Sequence, residues 1–247
     1  AVDAALVARA LPGTPILLKW TREDEHAWEP YSTCMAMAVQ ASLDAEGNVV
    51  AWSQESYGDT FMMRPRNSPP GEGARRLLPL RYIENGAEDP VPQPAMRYHV
   101  GIHRNLDPLY KFPNPRLVKN LVRGLPLRTS ALRTLGGFAN VYAIECFLDE
   151  LAEAAGIDPV EFRLRHLDDD RAKACVQALA DSLFKDSKPD NRGRGIGFAQ
   201  YTNSKAYSAV GVELEVGDDA AIKLHRAVVS VDAGQVVDPD GLIMQSE

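Results

Sequence analysis

Cysteine is scarce in this chain. Cys34, Cys146 and Cys175 are the only three in 247 residues, far apart and outside any CxxC pair. The chain therefore cannot build an iron–sulfur or structural zinc cluster by itself. An odd count also argues against a disulfide framework. Cys146 and Cys175 fall in helical patterns and are expected to be buried free thiols. Long apolar runs are missing as well, none approaching the roughly 20 residues that span a bilayer. The first residues lack the basic, apolar and small-residue order of a signal peptide. Positive charge is short overall: a net charge of −7 argues against nucleic acid as the main partner. What is present is an ordinary globular composition, 45% hydrophobic and 25% charged, enough for one large or two ordinary domains with a core.

Taken in order, Ala1 to Leu11 reads as a helix that Pro12-Gly13 stops. Ile16 to Trp20 reads as a short strand. The acids after it, Glu23, Asp24 and Glu25 with Glu29 nearby, lack the alternation around a glycine turn that hard cations need, and read as a solvated loop. Thr33 to Leu43 and Val49 to Tyr57 read as a β-hairpin turning at Gly47-Asn48. Phe61 to Pro126 holds eleven of the seventeen prolines. That composition suits a surface excursion or a wrapping connection, with short strands at Leu80 to Ile83 and Arg97 to Ile102. His99 and His103 are four apart but bracket a glycine without an acidic or thiol ligand nearby, so the spacing does not make a metal site.

Beyond the prolines, Asn140 to Gly156 has apolar residues at helical spacing and a glycine at its C-terminal end. Glu145, Asp149, Glu150 and Glu153 are expected on its solvated face, Glu145 as a rim acid or a partner for Arg133. Asp158-Pro159 starts a second helix and Arg171 to Phe184 forms a third. After the polar hinge at Lys185 to Arg192 come three strands and the turn Gly217-Asp218-Asp219. Gly193, Gly195 and Gly197 make a GxGxG, but no strand precedes it and a strand follows it, so a dinucleotide site is rejected.

The densest chemistry lies in Tyr110 to Gly137, YKFPNPRLVKNLVRGLPLRTSALRTLGG. It carries Lys111, Arg116, Lys119, Arg123, Arg128 and Arg133 and no acid. It opens on the turn Pro113-Asn114-Pro115 and closes on Gly136-Gly137, directly before the Asn140 helix. A glycine turn feeding a helix N-terminus with an arginine beside it suits a polyanionic ligand. A core-crossing loop that uses glycine for close packing accounts for the same residues.

This stretch resembles the molybdenum-binding large subunit of the xanthine dehydrogenase and aldehyde oxidase family. There a Tyr-Lys-x-Pro-Asn turn leads, at the same spacing, to a Phe-Arg-Gly-Phe-Gly-Gly loop beside a pterin. Here that loop reads Leu132-Arg133-Thr134-Leu135-Gly136-Gly137. Both aromatics are replaced, as is common in the bacterial isoquinoline-oxidoreductase and aldehyde-dehydrogenase-like branch. A second match falls at Asp232 to Glu247, DAGQVVDPDGLIMQSE, similar to a family segment whose glutamine reaches the pterin. That role falls on Gln245, with Glu247 as the paired acid.

The resemblance implies an α+β fold, the molybdopterin-binding domain of molybdenum hydroxylases, with mixed sheets and packed helices. Residues 1–188 would form the first part of the molybdopterin-binding region and 189–247 the β-rich start of a second subdomain. It implies molybdenum–molybdopterin, in its cytosine dinucleotide form, held by Arg133 (largely through its backbone amide), Thr134, Gly136, Gly137 and Gln245. Gly101, His103 and Leu135 would face the substrate. Gly101 stands where purine-oxidising members place a clamping arginine, so an aldehyde or another N-heteroaromatic compound is the implied substrate, with water as the oxygen source. The general-base glutamate and a glycine-rich molybdenum loop would lie outside this chain, an internal fragment. Electrons would pass to [2Fe–2S] clusters on a small partner subunit, with a flavin or cytochrome c subunit as a further partner. The implied compartment is the cytoplasm or, alternatively, a periplasmic, membrane-associated complex. A non-catalytic interaction module that shows only the fold, or a role for the proline-rich excursion in docking the iron–sulfur subunit, are the competing readings.

Overall fold

The computed structural model describes residues 2–59 and 93–247. The strand expected at Leu80 to Ile83 and much of the proline-rich excursion lie outside the described residues. Among the described residues, two three-stranded sheets flank a helical layer. The first is β1 (Met35–Leu43), β2 (Val49–Gly58) and β3 (Pro115–Leu121), with β2 central. The second is the meander β4 (Arg192–Gln200), β5 (Tyr207–Val216) and β6 (Ile222–Asp232). The fold is α+β, as the sequence implied.

β1 and β2 pair as the expected antiparallel hairpin. Asp44 shapes its turn: the carboxylate accepts the Asn48 N–H at 2.7 Å and the Glu46 N–H at 3.0 Å, and Gly47 takes φ +79°. β3 runs parallel to β2 in the register Trp52 to Pro115. The sequence carries no signal for this strand, because a parallel partner far along the chain leaves no hairpin mark in either segment.

Between the sheets lie α3 (Gly137–Ala155), α4 (Pro159–His166) and α5 (Asp170–Leu183). α3 buries Asn140, Ile144, Leu148, Leu151 and Ala152, three and four apart, so one face meets the first sheet. It ends where Gly156 turns left-handed at φ +67°. Asp158 and Asp169 cap α4 and α5, each carboxylate accepting two backbone N–H groups. Trp52 of β2 is 1% exposed, stacks on Phe112 at 4.6 Å and meets Phe147 edge-on at 5.7 Å. α5 covers β5 and β6.

Four local expectations are corrected. Residues 14–21 form no strand, and Leu17 is almost wholly exposed there. The acids that follow are not a loop but helix α2 (Arg22–Trp28), because Thr21 and Asp24 close a reciprocal capping box and the first-turn acids oppose the helix dipole. Arg97 to Ile102 is not a strand: His99 and Gly101 turn left-handed at φ +48° and +60°, and Gly101–His103 forms a 3-10 turn. Cys146 is exposed, whereas Cys175 is buried as expected. α1 spans Val2–Ala10 and α6 spans Pro239–Ser246.

One buried contact makes the core pH-sensitive. His166, at the end of α4, has Nδ1 2.8 Å from the Phe162 carbonyl, so Nδ1–H donates and Nε2 accepts the Val49 N–H at 3.1 Å. Burial pulls this imidazole below its usual pKa, against the opposing effect of the Phe162 carbonyl. Since the folded state prefers the neutral ring, its contribution is complete above the unfolded value of about 6.5 and is lost as the pH falls below it. Stability is expected to drop by up to about 1.4 kcal/mol per pH unit in that window. Urea melts at pH 7.5 and 5.5 check this: His166→Gln should be the less pH-dependent protein, and equal slopes would contradict it.

Candidate functional site

The site begins at the mouth of α3. Its N-cap, Gly136, has an ordinary φ of −66°, so what requires glycine there is space. A Cβ on Gly136 would lie 2.6 Å from the Gly101 carbonyl oxygen and 2.7 Å from that of Ile102, closer than real Cβ atoms come to backbone. The Gly136 N–H also donates to the Gly101 carbonyl at 3.3 Å. Just before it, Thr134 and Leu135 are left-handed, with φ +73° and +55°. Non-glycine residues hold that conformation at a cost of order 1 kcal/mol or more, and clusters of them mark ligand sites more often than ordinary loops.

Two buried asparagines lock this turn to the rest of the fold. Asn140, in the first turn of α3, is 0% exposed. Its Nδ2 donates to the carbonyls of Ile102 and Arg104 at 2.8 and 3.0 Å, and its Oδ1 accepts the Ser56 hydroxyl at 2.5 Å. Asn105, itself at φ +56°, donates from Nδ2 to the Gln200 carbonyl and accepts the Thr202 N–H. The turn at Gly101–His103 is thus held between α3, β2 and the end of β4. Neither asparagine stands out in the sequence, since their partners are distant along the chain.

Behind the mouth lies a charged cluster. Glu145, on α3, accepts the Tyr110 hydroxyl at 2.8 Å, Arg163 Nε at 3.0 Å and the Phe198 N–H at 2.9 Å. Arg163 is 0% exposed and also donates to Asp149 and to the carbonyls of Glu145, Pro159 and Ile196. Burial raises the Glu145 carboxyl above its usual range, partly offset by Arg163, Tyr110 and the Phe198 amide. For Arg163, burial is outweighed by the surrounding anions, so the cation is held firmly. Glu145 is therefore not a rim acid, nor the partner of Arg133. It fastens α3 to α4 and β4.

The predicted residues divide between two places. Thr134 and Gly137 border an open cleft of about 550 Å³ between α3 and the β4–β5 sheet, which Tyr142, Phe198 and Val210 also line. Arg133 is exposed at the same turn, and its side chain makes no ion pair or hydrogen bond among the described residues. Gly101 and His103 line a separate, smaller cavity. Gln245 is exposed on α6, where its amide makes no hydrogen bond among the described residues. The hydrogen bonds of α6 are local, including the Asp238 cap to Gly241, and none reaches the Arg133 loop. Gly193, Gly195 and Gly197 lie within β4. Among the described residues no three His, Cys, Asp or Glu side chains gather to hold a metal.

Residues 81–167, which contain the turn, the loop and all of α3 and α4, match the model of the molybdopterin cofactor-binding domain. Those residues therefore carry the molybdopterin cofactor-binding domain. It is 34% identical over 97% of its length to one of the subunits of nicotinate dehydrogenase from Pseudomonas putida, covering 20% of that protein. It is 27% identical over its whole length to the beta chain of isoquinoline 1-oxidoreductase from Brevundimonas diminuta, covering 29% of it. The solved aldehyde oxidoreductase of Desulfovibrio desulfuricans aligns over 90% of this chain and 24% of its own, at 16% identity and a TM-score of 0.47. The chain thus spans under a third of the length of the curated relatives it matches.

The residues present fit such a cofactor at the loop. A pterin phosphate is anionic, and the loop offers a guanidinium unpaired among the described residues and the positive end of a 19-residue helix. The close approach at Gly136 keeps that helix end in place against the Gly101 turn. Gln245 has the donor and acceptor that reading a pterin edge requires.

Proposed function

We propose that this chain forms part of the cofactor cradle of a molybdenum hydroxylase large subunit acting on an aldehyde or an N-heteroaromatic compound. The observation that carries the reading is the loop Arg133–Gly137, left-handed at Thr134 and Leu135, exposed at Arg133 and Thr134, and packed at Gly136 against the Gly101 turn at the head of α3. The relatives named for nicotinate and isoquinoline oxidation support the heteroaromatic half of the substrate range. When bound, the molybdenum–pterin group supplies hydroxylation with oxygen drawn from water and accepts two electrons.

This chain's own residues bind and orient. Arg133 would hold the cofactor with its backbone amide and guanidinium, the N-terminus of α3 would favour its negative charge, and Asn140 and Asn105 fix the turn beneath. Gln245 would supply an amide for the pterin edge. Gly101, His103 and Leu135 border the substrate, and the general base comes from outside residues 1–247. Residues 189–247 begin the second part of the cofactor-binding region.

The proposal extends to the cytosine dinucleotide form of the cofactor, to a small [2Fe–2S] partner subunit followed by a flavin or cytochrome c subunit, and to the cytoplasm or a periplasmic, membrane-associated complex. Both of these relatives are named as single subunits of their enzymes, which supports a multi-subunit assembly. Molybdenum and released cytidine nucleotide per mole of purified complex test the reading. Near one of each is expected, with Arg133→Ala lowering both by about tenfold, as loss of a charged phosphate contact should. A complex free of molybdenum would overturn it in favour of a non-catalytic module.

A further inference from the structure

The cations of the basic stretch differ in what they touch. Lys111 faces Asp168, and Arg116 pairs with Glu55. Lys119, on β3, has no acidic partner among the described residues. Its ammonium contacts the Ala95 carbonyl and lies 3.4 Å from His103 Nδ1. His103 Nε2 is 2.6 Å from the Arg97 carbonyl, so Nε2–H donates there and Nδ1 is left as the acceptor facing Lys119. An ammonium has three hydrogens to give, and only two are accounted for.

The third has somewhere to go. Lys119 and His103 share an enclosed cavity of about 60 Å³ whose walls include Ala95, Gly101, Ile102 and Leu121. That is about two waters' worth of space at roughly 30 Å³ each, room for a carboxylate but not for an aromatic ring or a pterin diphosphate. Its remaining lining is apolar, so an anion inside would be shielded from solvent and strongly held. Gly101 belongs both to this cavity and to the turn on which Gly136 rests.

We propose that the Lys119 ammonium, positioned by the neutral His103 ring, forms an anion subsite that receives the carboxylate of a carboxylated N-heteroaromatic substrate, leaving the ring outside the cavity toward the cofactor loop. This rests on the function proposed above and narrows its substrate class. Burial lowers the pKa of both groups, which keeps His103 the neutral acceptor and leaves the Lys119 ammonium without an acidic partner among the described residues.

The test compares pyridine-3-carboxylate with its neutral amide, pyridine-3-carboxamide, on the cofactor-loaded complex. The wild type should prefer the acid, and Lys119→Met should lower kcat/KM for the acid about 10- to 100-fold, the loss of one charge-assisted hydrogen bond, while leaving the amide within about twofold. Lys119→Arg should restore much of the preference, which a merely structural role for the side chain would not explain. An acid-to-amide ratio unchanged in Lys119→Met overturns the subsite. Loss of molybdenum and cytidine nucleotide in that variant also overturns it, assigning Lys119 to a cofactor phosphate instead. Wild type that oxidises neither these compounds nor an aldehyde rejects the proposed function itself, and calorimetry of pyridine-3-carboxylate binding then decides the subsite separately, with no binding counting against it.

Discussion

Replacing Arg163 with alanine is expected to destabilise the protein by about 3–5 kcal/mol, as removal of one partner from a buried ion pair does. The guanidinium is wholly buried and bonds to Glu145, Asp149 and three carbonyls. Without it, the Glu145 carboxylate keeps only Tyr110 and the Phe198 amide, and burial then strongly disfavours its charged form. Lysine should recover only part of the loss, since a point charge cannot reproduce the fork that grips several acceptors at once. The informative control replaces the whole cluster, Arg163→Met with Glu145→Leu and Tyr110→Phe. With no charge left unpaired, that variant should regain most of the stability. Urea melts of the set decide it, and an alanine variant within about 1 kcal/mol of wild type by the same reasoning would show that the cluster does not hold α3 in place.

Gly136→Ala should have the opposite signature: a modest stability loss and a large functional one. The new methyl would meet backbone atoms at 2.6–2.8 Å, which do not rotate away as a side chain does. The loop must move instead, at about 1–3 kcal/mol for overpacking. Because Gly136 opens α3, the displacement carries Arg133–Leu135 with it, and retained molybdenum is expected to fall about tenfold or more, by the logic of misplacements of about 1 Å. Gly193→Ala, in β4 and away from the loop, is the control. Its Cβ would meet nothing within 4 Å, and cofactor content should stay near wild type. Equal molybdenum in all three proteins would remove the loop from the cradle.

Much of this is legible from sequence wherever structure is local. The β1–β2 hairpin, the capped helices α4 and α5 and the β4–β6 meander each carry their own turn or cap residues within a few positions. The Arg133 loop is legible through spaced motifs, not periodicity. The features that fasten it are not. Asn140, Asn105, Glu145 and Arg163 act through partners up to about a hundred residues away, and on a helical wheel Glu145 looks like its solvated neighbours. α2 is hidden by its acidity, which reads as a loop unless Thr21 and Asp24 are seen as a capping box. β3 is hidden by Pro115 at its start and by its parallel partner.

That last strand gives the basic stretch a second physical meaning. Among the described residues β3 lies at the edge of its sheet, where unpaired backbone groups invite pairing with another chain. It opens on Pro115 and carries Arg116 and Lys119 within seven residues. Proline withholds a ladder donor and the cations repel a second copy of the same strand. Residues suited to an anionic ligand thereby also guard this edge against aggregation, so neutralising them for a binding experiment changes solubility along with affinity.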